Sequence, residues 1–200
     1  MLLKQAAAAT LVLCSLLPAH AQISAGKKLY LPEKIFRVPE NNNYDSDTSE
    51  YSFSRMVQSD NIALFWSKEF GNDPANHPDS TKRFNTQDAL RELERFYDYY
   101  VTQLQFVEKG KSVTDQYKAL CFVIGGAGRT AFGGGAENKV GILWTPAARM
   151  NKAPYGALAH ELGHSFQYLV SADGFPAFRS AAPGSRGQAI YEMTSQYMLW

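Results

Sequence analysis

Residues 117–124 run apolar almost without a break, ending in Ala119-Leu120-Cys121-Phe122-Val123-Ile124. A stretch of this length and composition reads as a β-strand buried on both faces. Such a strand cannot lie at a solvent-facing surface, so the chain must build cover on both sides of it. Other elements supply candidates. Residues 139–145 read as a further strand closed by Pro146, and residues 51–56 alternate as a half-buried strand does, with 61–66 following as another. Between them, residues 86–109 predict a long helix, because Leu90, Leu93, Tyr97, Tyr100 and Leu104 recur at helical spacing. Residues 71–83 are rich in Gly, Asn, Asp, Pro and Ser and read as a loop. The expected fold class is α+β: a mixed or antiparallel sheet packed on a long helix.

Composition fits a folded domain and narrows its partners. The chain has 200 residues, 45% apolar and 20% charged, too few charges and too many aromatics for a disordered chain. Residues 1–21 read as a cleaved export signal: Lys4, an apolar run from Gln5 to Leu17, Pro18, and the cleavage site Ala19-His20-Ala21. That run is too short to span a bilayer. The expected location is therefore periplasmic or extracellular. Cleavage leaves 19 basic and 19 acidic residues, so there is no electrostatic footprint for nucleic acid. Cys121 is then the sole cysteine, and its apolar run predicts a buried, inert thiol. Residues 22–48 read as an extended N-terminal arm and 49–200 as one domain. Asp45, Asp47 and Glu50 lack the glycine-containing spacing of a calcium loop and read as a solvated turn.

Gly126-Ala127-Gly128-Arg129-Thr130-Ala131 matches a dinucleotide fingerprint on paper. That reading requires a helix to open at this point and receive a pyrophosphate. Gly133-Gly134-Gly135 follows instead, so the segment reads as a flexible connection beside a cleft.

The chemistry-bearing motif is His160-Glu161-Leu162-Gly163-His164. With 4 His in the chain, a chance H-E-x-x-H arises at about 0.4%. A helix over residues 153–169 is supported by Tyr155, Leu158, Leu162, Phe166 and Leu169. At about 100° per residue, His164 lies about 40° from His160, Glu161 about 100°, and the apolar stripe on the far side. Two imidazoles one turn apart can share one zinc ion, while Glu161 is offset as a base. Gly163 predicts a close neighbour. A catalytic zinc needs a third protein ligand. Candidates are Asp173 in a loop, His77 far upstream, and Glu192, the best placed, on a helix over 187–200 with Ile190, Met193, Tyr197 and Trp200 along one side.

The chain here resembles the gluzincin branch of the zincin metallopeptidases. The resemblance rests on the H-E-x-x-H motif followed, 28 residues after His164, by Glu192-Met193-Thr194-Ser195. Thermolysin-like members carry Asp after that Ser; this chain has Gln196, which puts the orientation of a zinc-bound histidine on a different footing. The Phe65-Trp66 strand and the glycine segment are also similar to secreted bacterial families of unassigned function that carry the motif.

The resemblance implies a zincin-like fold and a secreted zinc peptidase. His160, His164 and Glu192 would bind the ion, and Glu161 would be the general base of peptide hydrolysis. An oxyanion donor is expected, with Tyr191 and Tyr197 as candidates. The strand over 139–145 is expected to pair with an extended peptide. Two rivals stand beside it: a secreted module binding glycan or protein through its aromatic strands, and a zincin that binds zinc without cleaving. The end of the chain inside the Glu192 helix reads as a truncation or a minimal domain. The sequence names no substrate and no oligomeric state.

Overall fold

Three apolar runs become the centre of the sheet. β2 (Ile62–Trp66), β3 (Ala119–Ile124) and β5 (Val140–Pro146) are buried at every residue and lie side by side in parallel. β1 (Met56–Gln58) pairs antiparallel with β2, and β4 (Phe132–Ala136) pairs antiparallel with β5. The strand order is β1-β2-β3-β5-β4, so the domain is α+β with a mixed five-stranded sheet. This computed structural model describes residues 26–126, 130–150, 153–175 and 186–198. The export segment at 1–21, the middle of the glycine motif at 127–129 and Trp200 lie outside them.

Alternation along the strands divides the core in two. Ile62, Leu64, Trp66, Cys121, Val123 and Leu143 face α1 (Thr86–Thr102) and α2 (Gly156–Ala172). Ala63, Phe65, Leu120, Phe122, Ile142 and Trp144 face the other way, where Leu31, Ile35, Val38, Tyr44 and Tyr51 cover them. The described part of the N-terminal arm therefore closes the second face of the sheet. Each fully buried Leu or Phe in these layers contributes about 1.5–3 kcal/mol.

Helix α1 begins where Asn85 caps it, its side chain accepting from the backbone N–H of Gln87 and Asp88. Leu90, Leu93, Tyr97 and Tyr100 are buried, together with Ala89 and Phe96. The helix ends at Thr102, short of the expected residue 109. Gln105 takes a left-handed φ of 49°, and Phe106 N–H turns back to the Tyr100 carbonyl at 3.0 Å. The strand expected over 51–56 is also displaced. Phe53–Arg55 forms a 3-10 turn, tied down by the Arg55 guanidinium donating to the carbonyls of Asp47 and Ser49 at 2.9 and 2.5 Å.

The largest departure from the sequence reading is the glycine segment. Residues 132–136 form β4 at the sheet edge, so no helix follows the glycine motif. The flexible connection expected there is ordered strand because Phe132 to Ala136 pair in register with Trp144 to Val140. Its use lies in its missing side chains. A Cβ at Gly133 would sit 2.0 Å from the Glu161 carbonyl oxygen and 2.8 Å from His164 Cβ. A Cβ at Gly135 would sit 2.1 Å from the Tyr168 ring. Helix α2 therefore rests on bare strand backbone at its Glu161–His164 turn.

Gly134, between them, faces open space. Gly133→Ala is expected to destabilise the domain by about 1–3 kcal/mol through overpacking. Gly134→Ala is expected to stay within about 0.5 kcal/mol of the parent. Urea denaturation midpoints compare the two, and equal midpoints would overturn the close-approach account.

Candidate metal centre

Helix α2 is enclosed on three sides, and this fixes which way its polar residues point. On one side lie β4 and β5, where Ser165 Oγ donates to the Ile142 carbonyl at 3.0 Å. On another lies α1, with Tyr97 and Tyr100 packed on Phe166 and Tyr100 Oη donating to the Ala159 carbonyl at 2.9 Å. The third neighbour is α3 (Arg186–Tyr197). It comes in at Gly163, where a Cβ would meet Ser195 Oγ at 2.8 Å and Met198 Sδ at 3.2 Å. Ser195 Oγ donates to the His160 carbonyl.

That contact sets which face of α3 is packed. Ile190, Met193 and Tyr197, which the sequence places along one side of the helix, are 64%, 70% and 69% exposed. Small and flexible residues, Ser195 and Met198, fill the recess at Gly163 instead. That orientation brings Glu192 over the histidines.

Three donor atoms converge there. His160 Nε2 lies 3.2 Å from Glu192 Oε2, His164 Nε2 lies 3.4 Å from the same oxygen, and the two nitrogens are 3.1 Å apart. Ligands about 2.0–2.1 Å from a tetrahedral ion stand about 3.3–3.4 Å from one another. Each side of the triangle lies within about 0.3 Å of that edge length. Glu161 also brings an oxygen within 4.8 Å of both imidazole nitrogens. Glu192 is nearer to both, which leaves Glu161 beside the triangle rather than in it.

The proton on His164 is located by its neighbours. Gln167 Nε2 donates to the Tyr191 carbonyl at 2.8 Å, so the other amide atom, Oε1, is an acceptor. It lies 2.7 Å from His164 Nδ1, which must then carry the proton. His164 Nε2 is left with its lone pair, facing the triangle. The Tyr191 ring stacks on the imidazole at 4.4 Å and holds its plane. The orienting amide is thus Gln167; Gln196, the residue at the position where thermolysin-like chains have Asp, is exposed.

Burial sets the electrostatics. Glu161 is 8% exposed, and its carboxyl is pushed up to about 8, first by burial and then by the charge of Glu192; Arg149, exposed, acts the other way. His164 is lowered, mainly by burial, which favours the neutral ring. Tyr191 is pushed up to about 12 by burial and by Glu192 and Glu161. Two carboxylates and two imidazoles therefore crowd one spot, a donor set suited to a cation.

The other candidates go elsewhere. Asp173 caps the end of α2 and accepts from Val113 N–H at 2.9 Å. His77 is held in its loop by Asp79 N–H at 3.1 Å. Tyr197 is exposed, and Cys121 is fully buried with its thiol raised by burial. Sequence reasoning missed Gln167. The available signal was a polar residue at i+3 from His164 in an otherwise apolar stretch of helix.

Gln167→Leu keeps the volume but strips both partners, the His164 Nδ1–H and the Tyr191 carbonyl. The expected cost is about 2 kcal/mol of unfolding free energy. A loss below about 0.5 kcal/mol in chemical denaturation would mean that the bridge does not hold.

A family model described as a family of unknown function (DUF6055) matches residues 21–200. No curated protein matches the chain, and no solved structure matches it.

Proposed function

For a chain that belongs to this family of unknown function, we propose a secreted zinc-dependent hydrolase of the zincin type, acting on peptide bonds. The observation that carries the reading is the triangle of His160 Nε2, His164 Nε2 and Glu192 Oε2, with edges of 3.1 to 3.4 Å. A donor set of two imidazoles and one carboxylate leaves the fourth position of a tetrahedral zinc open, as catalytic sites require. Gln167 supports it by presenting the bare Nε2 of His164.

When bound, zinc supplies Lewis acidity toward water and toward a substrate carbonyl. The chain's own residues do the rest. Glu161, beside the donors, would be ionised once the cation's charge offsets the burial that raises its carboxyl, and would then accept a proton from the attacking water and pass it to the leaving nitrogen. Tyr191, whose phenol stays protonated, would be the hydrogen-bond donor for the carbonyl oxygen; Tyr197, the other candidate, is exposed. The extended peptide pairs with β4. The sequence reading assigned this role to the strand over 139–145, but β5 lies between β3 and β4 and has both edges taken. β4 is the edge strand on this side, and its Gly133 backbone lies against the Glu161 turn. Strand addition there would lay a scissile bond along the metal motif.

Among the described residues no helix is long and apolar enough to cross a membrane.

Elemental mass spectrometry of the purified chain is expected to find about one zinc per molecule, with none retained by His164→Ala. Glu192→Ala is expected to weaken zinc binding measurably. A folded wild type without zinc, or zinc unaffected by either change, would sink the assignment of the donors. In a fluorogenic peptide-library assay, Glu161→Gln is expected to keep its zinc while losing at least about 100-fold in rate. Full activity in that variant would remove Glu161 as base. Zinc without cleavage by the wild type would leave a metal-binding protein and reject the peptidase.

A further inference from the structure

One side of β4 is free: the strand pairs with β5, and among the described residues nothing pairs with its other edge. Its side chains alternate between two faces. Gly133 and Gly135 face α2, so Phe132, Gly134 and Ala136 face the N-terminal arm. On that face a Cβ at Gly134 would meet nothing within 4 Å, which leaves a slot beside the Phe132 ring. Phe132 stacks on Trp144 at 4.7 Å, and Phe36 of the arm meets it edge-on at 5.3 Å while remaining 63% exposed. Arg37 takes a left-handed φ of 61° and holds its guanidinium 5.3 Å from the Phe132 centroid and 5.4 Å from that of Phe36. At the far end of the strand Glu137 fixes the arm, accepting from the Tyr30 hydroxyl and from the Glu33 N–H at 3.1 Å.

We propose that the free edge of β4 docks an extended segment of another polypeptide that seats one aromatic side chain over Gly134, against Phe132 and Phe36. The proposal rests on the strand addition suggested for peptide substrates, and it needs neither zinc nor hydrolysis. Backbone hydrogen bonds of an added strand hold any sequence, so its side chains carry the selectivity. The residues on either side of the aromatic one point to the α2 face and take no part in it.

Space and charge choose this guest. Gly133 and Gly135 are glycines because α2 lies on them, but neither a close neighbour nor a left-handed φ requires one at Gly134. An edge glycine that leaves such a gap is covered best by an aromatic ring on the adjacent strand. Phe132 and Phe36 give that ring edges and faces to pack on, and the latched arm holds them in place beforehand. The Arg37 guanidinium attracts a further ring face and repels a lysine or arginine side chain.

The test uses the full chain carrying Glu161→Gln, so that no peptide is consumed, and dansyl-labelled peptides of alternating Thr and Val with Phe, Ala or Lys at the centre. Fluorescence anisotropy reads each Kd. The Phe peptide is expected to bind about tenfold tighter than the Ala peptide, and the Lys peptide no tighter than Ala. Gly134→Val fills the slot and is expected to bring the Phe peptide to the level of Ala while leaving the Ala peptide unchanged. Phe36→Ala, a change at an exposed residue, is expected to shrink the Phe preference as well. Equal Kd values for Phe and Ala, or a preference that survives both changes, would overturn the proposal. Failure of every peptide to bind would overturn it together with strand addition. Self-association of the chain that the Phe peptide does not displace would make the occupant a second copy and overturn it too. Zinc content is measured separately, so an empty metal site leaves this docking site standing, and failure here leaves the metal donors standing.

Discussion

Everything at the candidate centre depends on how closely helix α2 approaches the sheet. The helix lies on the backbone of β4 at Gly133 and Gly135, where a single methyl group on either residue would collide with it. On its next side Gly163 admits Ser195 and Met198 of the segment that carries Glu192. Glycines thus stand at both contacts, one set in the strand and one in the helix. Each removes a side chain so that a neighbour can come near. In a helix interior such a residue costs about 1 kcal/mol relative to alanine, and the docking of α3 offsets it.

The polar residues of α2 are legible once this enclosure is known. A helix buried on three sides has to satisfy each polar atom it hides. Ser165 bonds to β5, Gln167 bridges His164 to the Tyr191 carbonyl, and the His160 carbonyl takes the Ser195 hydroxyl. The two imidazole nitrogens and the Glu192 oxygen have partners only in one another. They lie within 3.4 Å of one another, and a bound cation would satisfy all three at once.

How much of this could be read from the sequence differs by element. β2, β3 and β5 were legible because apolar runs buried on both faces leave little alternative, and α2 because its stripe and its motif have one common period. β4 was not. Three successive glycines carry no strand propensity, and only their register against Gly141, Ile142 and Leu143 makes them one. The long-helix reading ran past Thr102 because nothing in the stripe announces the left-handed Gln105. The packed face of α3 is hard to read from the sequence for a related reason. Apolar Ile190, Met193 and Tyr197 suggest a buried side, but the recess they would have to enter is sized for Ser195. Gln167 showed only as a polar residue at i+3 from His164, because its two partners sit on different helices and meet only in the fold.

The division of the donors between two helices has a consequence for the order in which the centre assembles. His160 and His164 are four residues apart and come together as soon as one turn of α2 forms. Glu192 is 28 residues beyond His164 and arrives only when α3 docks at Gly163. The same docking delivers Tyr191 over the imidazole and gives Gln167 its carbonyl partner. One event therefore completes the donor set, fixes the tautomer and covers the ring. If α3 lifts away, all three are lost together, while the sheet and α1 keep their own contacts. The centre is then an all-or-none feature of a single helix–helix joint, and its opening is a local transition that can occur well below global unfolding.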